Sequence, residues 1–202
     1  MPFHLLMTLS RTSNQYFTMS RKRQASKGKK IKPHFWVFCE GKTEEAYVCH
    51  LRSKYRIPIE IVPKVIGSNI DEKFIKRHKK GKPTHEKDID FLMYDADVDE
   101  VLKRLQKIDS AKLLASNPSI ELWFLLHYKN QNAHITTDNC IRELCNRNHN
   151  TYKKGVLDQK LIEKLNEKCS DACKRAKQKE LFNNPSTNIY ELIEILEEIK
   201  NG

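Results

Sequence analysis

The chain has 202 residues, 39% of them hydrophobic and 31% charged, with a formal net charge of +11. That length accommodates one full domain with its own core and a small addition. No apolar stretch approaches the roughly 20 residues that a membrane-spanning helix needs, which sets aside a helical membrane protein.

The charge is unevenly placed. Residues 1–32 carry eight basic side chains and no acidic one, so the remainder is only +3. This segment is expected to be a disordered basic tail, either an arm that contacts phosphates through counterion release or a solubilising terminus. The opening MPFHLLMTL lacks the basic residues that precede a secretory apolar segment. Met19 begins a more ordinary start, MSRKRQ, so residues 1–18 read as a leader or an over-long gene start and are left out of the fold. Six cysteines without a secretion signal suit reduced thiols in the cytoplasm.

After the tail, His34 to Cys39 is rich in aromatic and β-favouring residues and predicts the first strand. Lys42 to Tyr55 reads as a helix, which Pro58 follows. Ile59-Glu60-Ile61-Val62 predicts a second strand that continues raggedly through Val65-Ile66, and Gly67-Ser68-Asn69 marks a turn. A short basic helix precedes the Gly81–Pro83 break. The third strand runs from Ile89 to Tyr94, followed by an amphipathic helix from Val98 to Ile108, with Val101, Leu102, Leu105 and Ile108 at helical spacing. Lys112 to Ala115 is a short fourth strand. Asn117 is expected to cap, and Pro118 to open, a helix that continues through Ser119 to Tyr128. Beyond Tyr128 the pattern is helical, with candidates at Asp138–Asn146, Leu157 to about Lys179, and Thr187–Lys200. The alternation predicts an α/β fold: a mostly parallel four-stranded sheet flanked by helices (residues 33–128) with a helical C-terminal appendage (129–202) packed on it.

Three carboxylates stand where such a fold places ligands. Glu40 follows the first strand, and Asp95 and Asp97 follow the third, so all three lie at carboxyl ends of strands, the edge where open α/β sheets bind. Hard cations such as Mg²⁺ take oxygen ligands, so the trio suits one or two divalent ions. Gly41 after Glu40 lets a ligand approach the backbone. Glu44 and Glu45 are explained by the dipole of the helix they open, and Asp99 by capping the next one. Glu121, in the first turn after the fourth strand, either completes the metal shell or forms part of a helix cap. Lys42 and the basic run Lys76, Arg77, Lys79 and Lys80 are candidates for holding a phosphate backbone without reading sequence. His127 and the apolar Trp123–Leu126 read as core. Cys140, Cys145, His149, Cys169 and Cys173 lack the tight CxxC spacing of a structural zinc site, and packing explains them better.

The Glu-Gly after one strand and the Asp-x-Asp after a later one resemble the Toprim domain. CEGKTEEAY, SNPSIELWFLLHY and NNPSTNIYELIEIL narrow the likeness to the RloB family, which includes AbiLii-type abortive-infection proteins of bacterial phage defence. The resemblance spans roughly residues 20–200. It implies a Rossmann-like Toprim fold and a Mg²⁺- or Mn²⁺-dependent nuclease acting on DNA or RNA, tRNA among the possibilities, with an ABC/SMC-like ATPase encoded nearby as partner. A homo-oligomer is compatible with it. Carried over by residue, Glu40 matches the Toprim glutamate, a general acid/base that also contacts metal. Asp95 and Asp97 match the metal-binding aspartates, and Glu121 matches the family's ELW glutamate. The segment between the second and third strands departs from the family in being short and basic. Two other readings stay open: a non-catalytic Toprim-like subunit that regulates the ATPase, and a nucleic-acid-binding adaptor working through the tail.

Overall fold

The structure, a computed structural model, describes residues 33–65 and 69–201. The expected basic tail, the alternative start at Met19 and the Ile66-Gly67-Ser68 part of the expected turn lie outside the described residues.

The elements follow the predicted alternation: β1 (Phe35–Cys39), α1 (Lys42–Tyr55), β2 (Ile59–Val62), α2 (Glu72–Lys79), β3 (Ile89–Asp95), α3 (Asp99–Leu105) and β4 (Lys112–Asn117). Then come α4 (Ile120–Leu125), α5 (Thr137–Arg147), α6 (Gln159–Glu167), α7 (Cys169–Lys177), β5 (Ser186–Thr187) and α8 (Tyr190–Asn201). The sheet order is β2-β1-β3-β4-β5. Its first four strands are parallel, in register through pairs such as Val37 with Ile61, Val37 with Phe91, and Met93 with Leu114.

The fold is therefore α/β with a mostly parallel sheet, but of five strands, not four. The fifth strand pairs antiparallel with β4 through Ser116–Thr187 and Asn117–Ser186. Periodicity does not reveal a two-residue strand, and Thr187, expected to open a helix, lies in β5 instead. Side chains make this edge. The Ser116 and Thr187 hydroxyls are 2.8 Å apart. Asn188 accepts the Ala115 N–H at 2.7 Å and donates to the Leu113 carbonyl at 2.9 Å, as a strand backbone would. The expected long helix from Leu157 is likewise two helices, α6 and α7, broken at Lys168 (φ −107°, ψ 17°).

Strand alternation divides the core in two. Phe35, Val37, Cys39, Phe91 and Met93 face one side, with residues of α1 and of α4 to α8. Trp36, Phe38, Leu92 and Tyr94 face the other, with Ile75 of α2 and Leu105 of α3. The helices after Tyr128 thus pack into the same hydrophobic cluster as α1. The described residues form one compact unit.

Helix ends follow local chemistry, with two corrections. Asp71, Thr136 and Asp158 cap α2, α5 and α6 by accepting N–H groups from the first turn. Asp99 does not cap α3; Val98 occupies that position and Asp99 opens the helix. Asn117 does not cap α4 either. The Asn117–Pro118 peptide is cis, Ser119 is the cap residue, and the Asn117 amide donates to the Phe182 carbonyl at 2.8 Å. All six residues of α4 are buried, and Trp123 donates its indole N–H to the Tyr47 hydroxyl at 2.8 Å.

Candidate functional site

The order β2-β1-β3-β4 contains one reversal. From β1 the chain first builds β2 on one side, then crosses to build β3 and β4 on the other. Adjacent connections then diverge, leaving a crevice at the carboxyl ends of β1 and β3, where ligands of open α/β sheets bind. Glu40 directly follows β1 and Asp95 ends β3. The Glu40 N–H donates to the Met93 carbonyl (3.3 Å), and its Oε2 accepts the Asp95 N–H (3.3 Å), so the side chain spans the crevice.

Alternation along β3 puts Phe91, Met93 and Asp95 on one face, the face covered by α1 and α4. Those helices each bring a further carboxylate. Glu44 of α1 is 5% exposed, and its Oε2 accepts the Gly41 N–H at 3.0 Å. Glu121 of α4 is fully buried. Ser119 Oγ donates to its Oε2 at 2.7 Å, and the Tyr152 hydroxyl to its Oε1 at 2.8 Å. Asp95 Oδ1 in turn accepts the Ile120 N–H at 3.0 Å. This bond ties the third strand to the start of α4.

Asp95, Glu44 and Glu40 are each shifted by burial and by neighbouring carboxyls. Burial, then the charges of Glu44, Glu121 and Glu40, push Asp95 up to about 8. Burial likewise raises Glu44, with Glu121 and Glu40 adding to it. Glu40 is raised by burial, eased by the Asp95 N–H, raised again by Asp97 and lowered by Lys154. Burial and the Glu121 charge hold the Tyr152 phenol protonated, far above its ordinary value, and keep it a donor. Like charge crowds this pocket, and protons or a cation relieve it.

The sequence-predicted residues divide accordingly. Glu40, Asp95 and Glu121 come together. Asp97 lies just beyond β3, exposed, and reaches Glu40 through its charge. Glu44, expected only to complement the helix dipole, is a buried member of the cluster. A Gly-x-x-Glu spacing, one helical turn after the strand-terminal Glu40, was the available signal. Tyr152 and Lys154 had no local signal, because they reach the site from a tight turn between α5 and α6. That turn, closed by the Lys153–Val156 bridge, is fastened to α1: the Gly155 N–H donates to Thr43 Oγ1 at 3.0 Å. Gly155 has φ +78°, and a Cβ there would stand 3.1 Å from Lys42 Cβ. The turn therefore sets Gly155 against Lys42 and brings the charge of Lys154 to bear on Glu40. A groove of about 500 Å³ opens there, lined by Lys42, Glu45, Cys49, Pro63, Lys64 and Gly155.

The basic run of α2 lies elsewhere. Lys79 Nζ is 2.8 Å from both oxygens of Asp90, which is 7% exposed. Asp90 is five residues before Asp95, about 16 Å along the strand at the sheet's amino end. Lys76 pairs with Glu72 at 4.0 Å, and Arg77 lies 5.4 Å over the Phe74 ring. Lys76, Arg77 and Lys80 remain exposed, but on the face opposite Glu44 and Glu121.

All six cysteines are free. Among the described residues no three His, Cys, Asp or Glu side chains stand ready-placed around a single metal position. The donor chemistry of the crevice nonetheless fits a hard cation: its carboxylate oxygens are buried and crowded, which raises Asp95, and a divalent ion would relieve both. Among the described residues no helix is long and apolar enough to cross a membrane. Comparison with curated proteins and with solved structures returned no match. The family model described as RloB-like protein matches residues 35–196, from the first residue of β1 into α8 and across every residue of the acidic cluster. The chain belongs to the RloB-like protein family.

Proposed function

We propose that this protein is a divalent-metal-dependent nuclease of a bacterial anti-phage, abortive-infection system, with a Toprim-like catalytic core and an ATPase partner. The observation that carries the reading is the convergence of Glu40, Glu44, Asp95 and Glu121 on the β1/β3 crevice, with Asp95 raised to about 8. So much buried like charge costs stability, and perturbed carboxyls of this kind concentrate at functional sites.

Glu40 and Asp95, with Asp97 beside them, would hold Mg²⁺ or Mn²⁺, which supplies charge neutralisation and an activated water when bound. Glu40, half-buried and raised above an ordinary glutamate, is placed to accept and return a proton at the rim. Lys42 and Lys154 bind backbone phosphate without reading sequence. Glu121, with both oxygens occupied by Ser119 and Tyr152, is a positioning residue: it holds α4 and its negative charge against Asp95. Glu44 acts the same way from α1.

The test offers plasmid DNA and total tRNA to wild type and Glu40→Ala, with Mg²⁺ or Mn²⁺, with and without an ATPase encoded beside it. Cleavage by wild type and its loss in a folded Glu40→Ala protein are expected. Undiminished cutting by Glu40→Ala overturns the assignment. The hydrogen bonds that already engage Asp95 and Glu121 favour a second reading, a non-catalytic Toprim-like subunit that regulates the ATPase. Under that reading no nucleic acid is cut even by the assembled complex, and Mg²⁺ leaves stability unchanged.

A further inference from the structure

The groove of about 500 Å³ beside the crevice is lined by none of the four clustered carboxylates. One wall is a stripe of α1, in which Lys42, Glu45, Ala46 and Cys49 follow the i, i+3, i+4, i+7 spacing of a single helix face. The other is Pro63 and Lys64, just past β2. The Val65 N–H donates to the Cys39 carbonyl at 3.0 Å, which holds this second wall at the end of β1, one residue from Glu40. Lys64 stands there with φ 57°. A left-handed backbone strains a residue with a side chain, and such strain gathers at ligand-binding positions.

We propose that this groove seats one unpaired nucleotide next to the scissile phosphate, so that the substrate is a single strand or a single-stranded loop. The scissile phosphate rests on the nuclease reading above, whereas the groove itself needs only a strand to bind. Its volume of about 500 Å³ falls within the roughly 300–1,000 Å³ of small-ligand sites and suits a base with its sugar. Ala46, Cys49 and Pro63 offer apolar surface to the face of a base ring. Lys42 and Lys64 are exposed, and among the described residues neither has an ion-pair partner. Both ammonium groups are therefore available to the phosphates on either side. Glu45, half-buried in the same stripe, can accept a base N–H or a sugar hydroxyl.

A paired base cannot use these walls. Inside a duplex its two faces are covered by stacked neighbours and its edge by its partner, so it meets the apolar surface only after leaving the stack. An unpaired base meets it directly. Every base has such a ring face, so the groove selects for strandedness and tolerates sequence. A duplex can still lay phosphates on Lys42, but without filling the space behind it. Gly155 preserves that space: a Cβ there would stand 3.1 Å from Lys42 Cβ, so glycine lets the turn approach α1 without pushing the lysine into the groove.

The test uses the full-length protein in EDTA, where metal-dependent cleavage is stopped and only binding is read. The probes are oligothymidylate and oligouridylate of about 12 nucleotides and a blunt duplex of the same length, with affinities from fluorescence anisotropy. Cys49 lines the groove and serves as the reporter: a bound single strand should slow its labelling by N-ethylmaleimide in proportion to the bound fraction, and a bound duplex should not. Ala46→Leu fills part of the groove with a good helix former and should weaken single-strand binding about tenfold while leaving duplex binding unchanged. Lys64→Asn keeps a residue that accepts the left-handed backbone and should make the single-strand salt slope shallower by about 0.7, the value for one phosphate contact. Equal shielding of Cys49 by duplex and single strand, or shielding by neither, overturns the proposal and needs no variant to fold. So does an Ala46→Leu protein that binds single strands as wild type does. Selective shielding of Cys49 together with no cutting of any strand in Mg²⁺ keeps the groove and removes the nuclease reading; cutting without selective shielding does the reverse.

Discussion

Replacing Asp95 by Asn removes one charge from the cluster and leaves an amide oxygen that can still accept the Ile120 N–H. In the wild type the Asp95 carboxyl stands at about 8 against an ordinary 3.8. Because the folded-state value is the higher one, the folded protein keeps this proton longer than the unfolded chain. The associated stability is complete below about pH 4 and is lost as the pH rises through about 8. At 1.36 kcal/mol per pH unit this amounts to roughly 5 kcal/mol, and roughly 2–3 kcal/mol after discounting partial exposure and ionic screening. Urea denaturation in EDTA from about pH 5 to 9 measures it. Wild type should lose stability across that interval, whereas Asp95→Asn should show a flatter profile and exceed wild type at the alkaline end. Saturating Mg²⁺ should restore wild type by about 2–3 kcal/mol, the gain expected near a hundredfold excess over Kd, and leave Asp95→Asn unmoved. An Asp95→Asn protein less stable than wild type at pH 9 would falsify the picture of a repulsive, cation-seeking cluster.

Other changes probe the supports of the site. Tyr152→Phe strips one donor from buried Glu121 and should cost about 1–3 kcal/mol in denaturation, with cleavage reduced even where the protein stays folded. Gly41→Ala sets a Cβ 2.9 Å from Glu44 Oε2. It should displace that carboxylate from the Gly41 N–H, visible as a perturbed Gly41 amide resonance and a loss of about 1 kcal/mol. Asp90→Asn leaves Lys79 half-buried beside a neutral amide and should destabilise by about 1–3 kcal/mol, with nuclease activity of the remaining folded protein unchanged. Lys42→Ala with Lys154→Ala should do the reverse: stability within about 0.5 kcal/mol of wild type, and a salt dependence of nucleic-acid binding flattened by about two contacts. Equal flattening by Lys76→Ala with Lys80→Ala would move the phosphate track to the opposite face.

The sequence by itself determined the alternation of strands and helices from β1 to β4. Runs such as Phe35–Cys39 and Phe91–Tyr94 have no stable place except inside a covered parallel sheet, and a carboxylate ending such a run must emerge at its carboxyl edge. Glu40 and Asp95 were legible for that reason, as was the basic character of the chain. Tertiary structure decided the rest. Glu44 belongs to the cluster only because α1 lies on the face that alternation gives to Asp95. Lys79 is paired with Asp90 at the sheet's other end, a contact that no local pattern announces. Tyr152 and Lys154 are brought in by a turn whose Gly155–Thr43 hydrogen bond joins residues 112 apart in the chain. Such contacts depend on how helices pack across a shared core, and no local periodicity records them. The helical segment after Tyr128 likewise reads as an appendage in sequence. In the folded protein it supplies a strand to the sheet, a hydroxyl to Glu121 and a cation to the crevice, because only packing brings those groups within hydrogen-bonding and charge-pairing range.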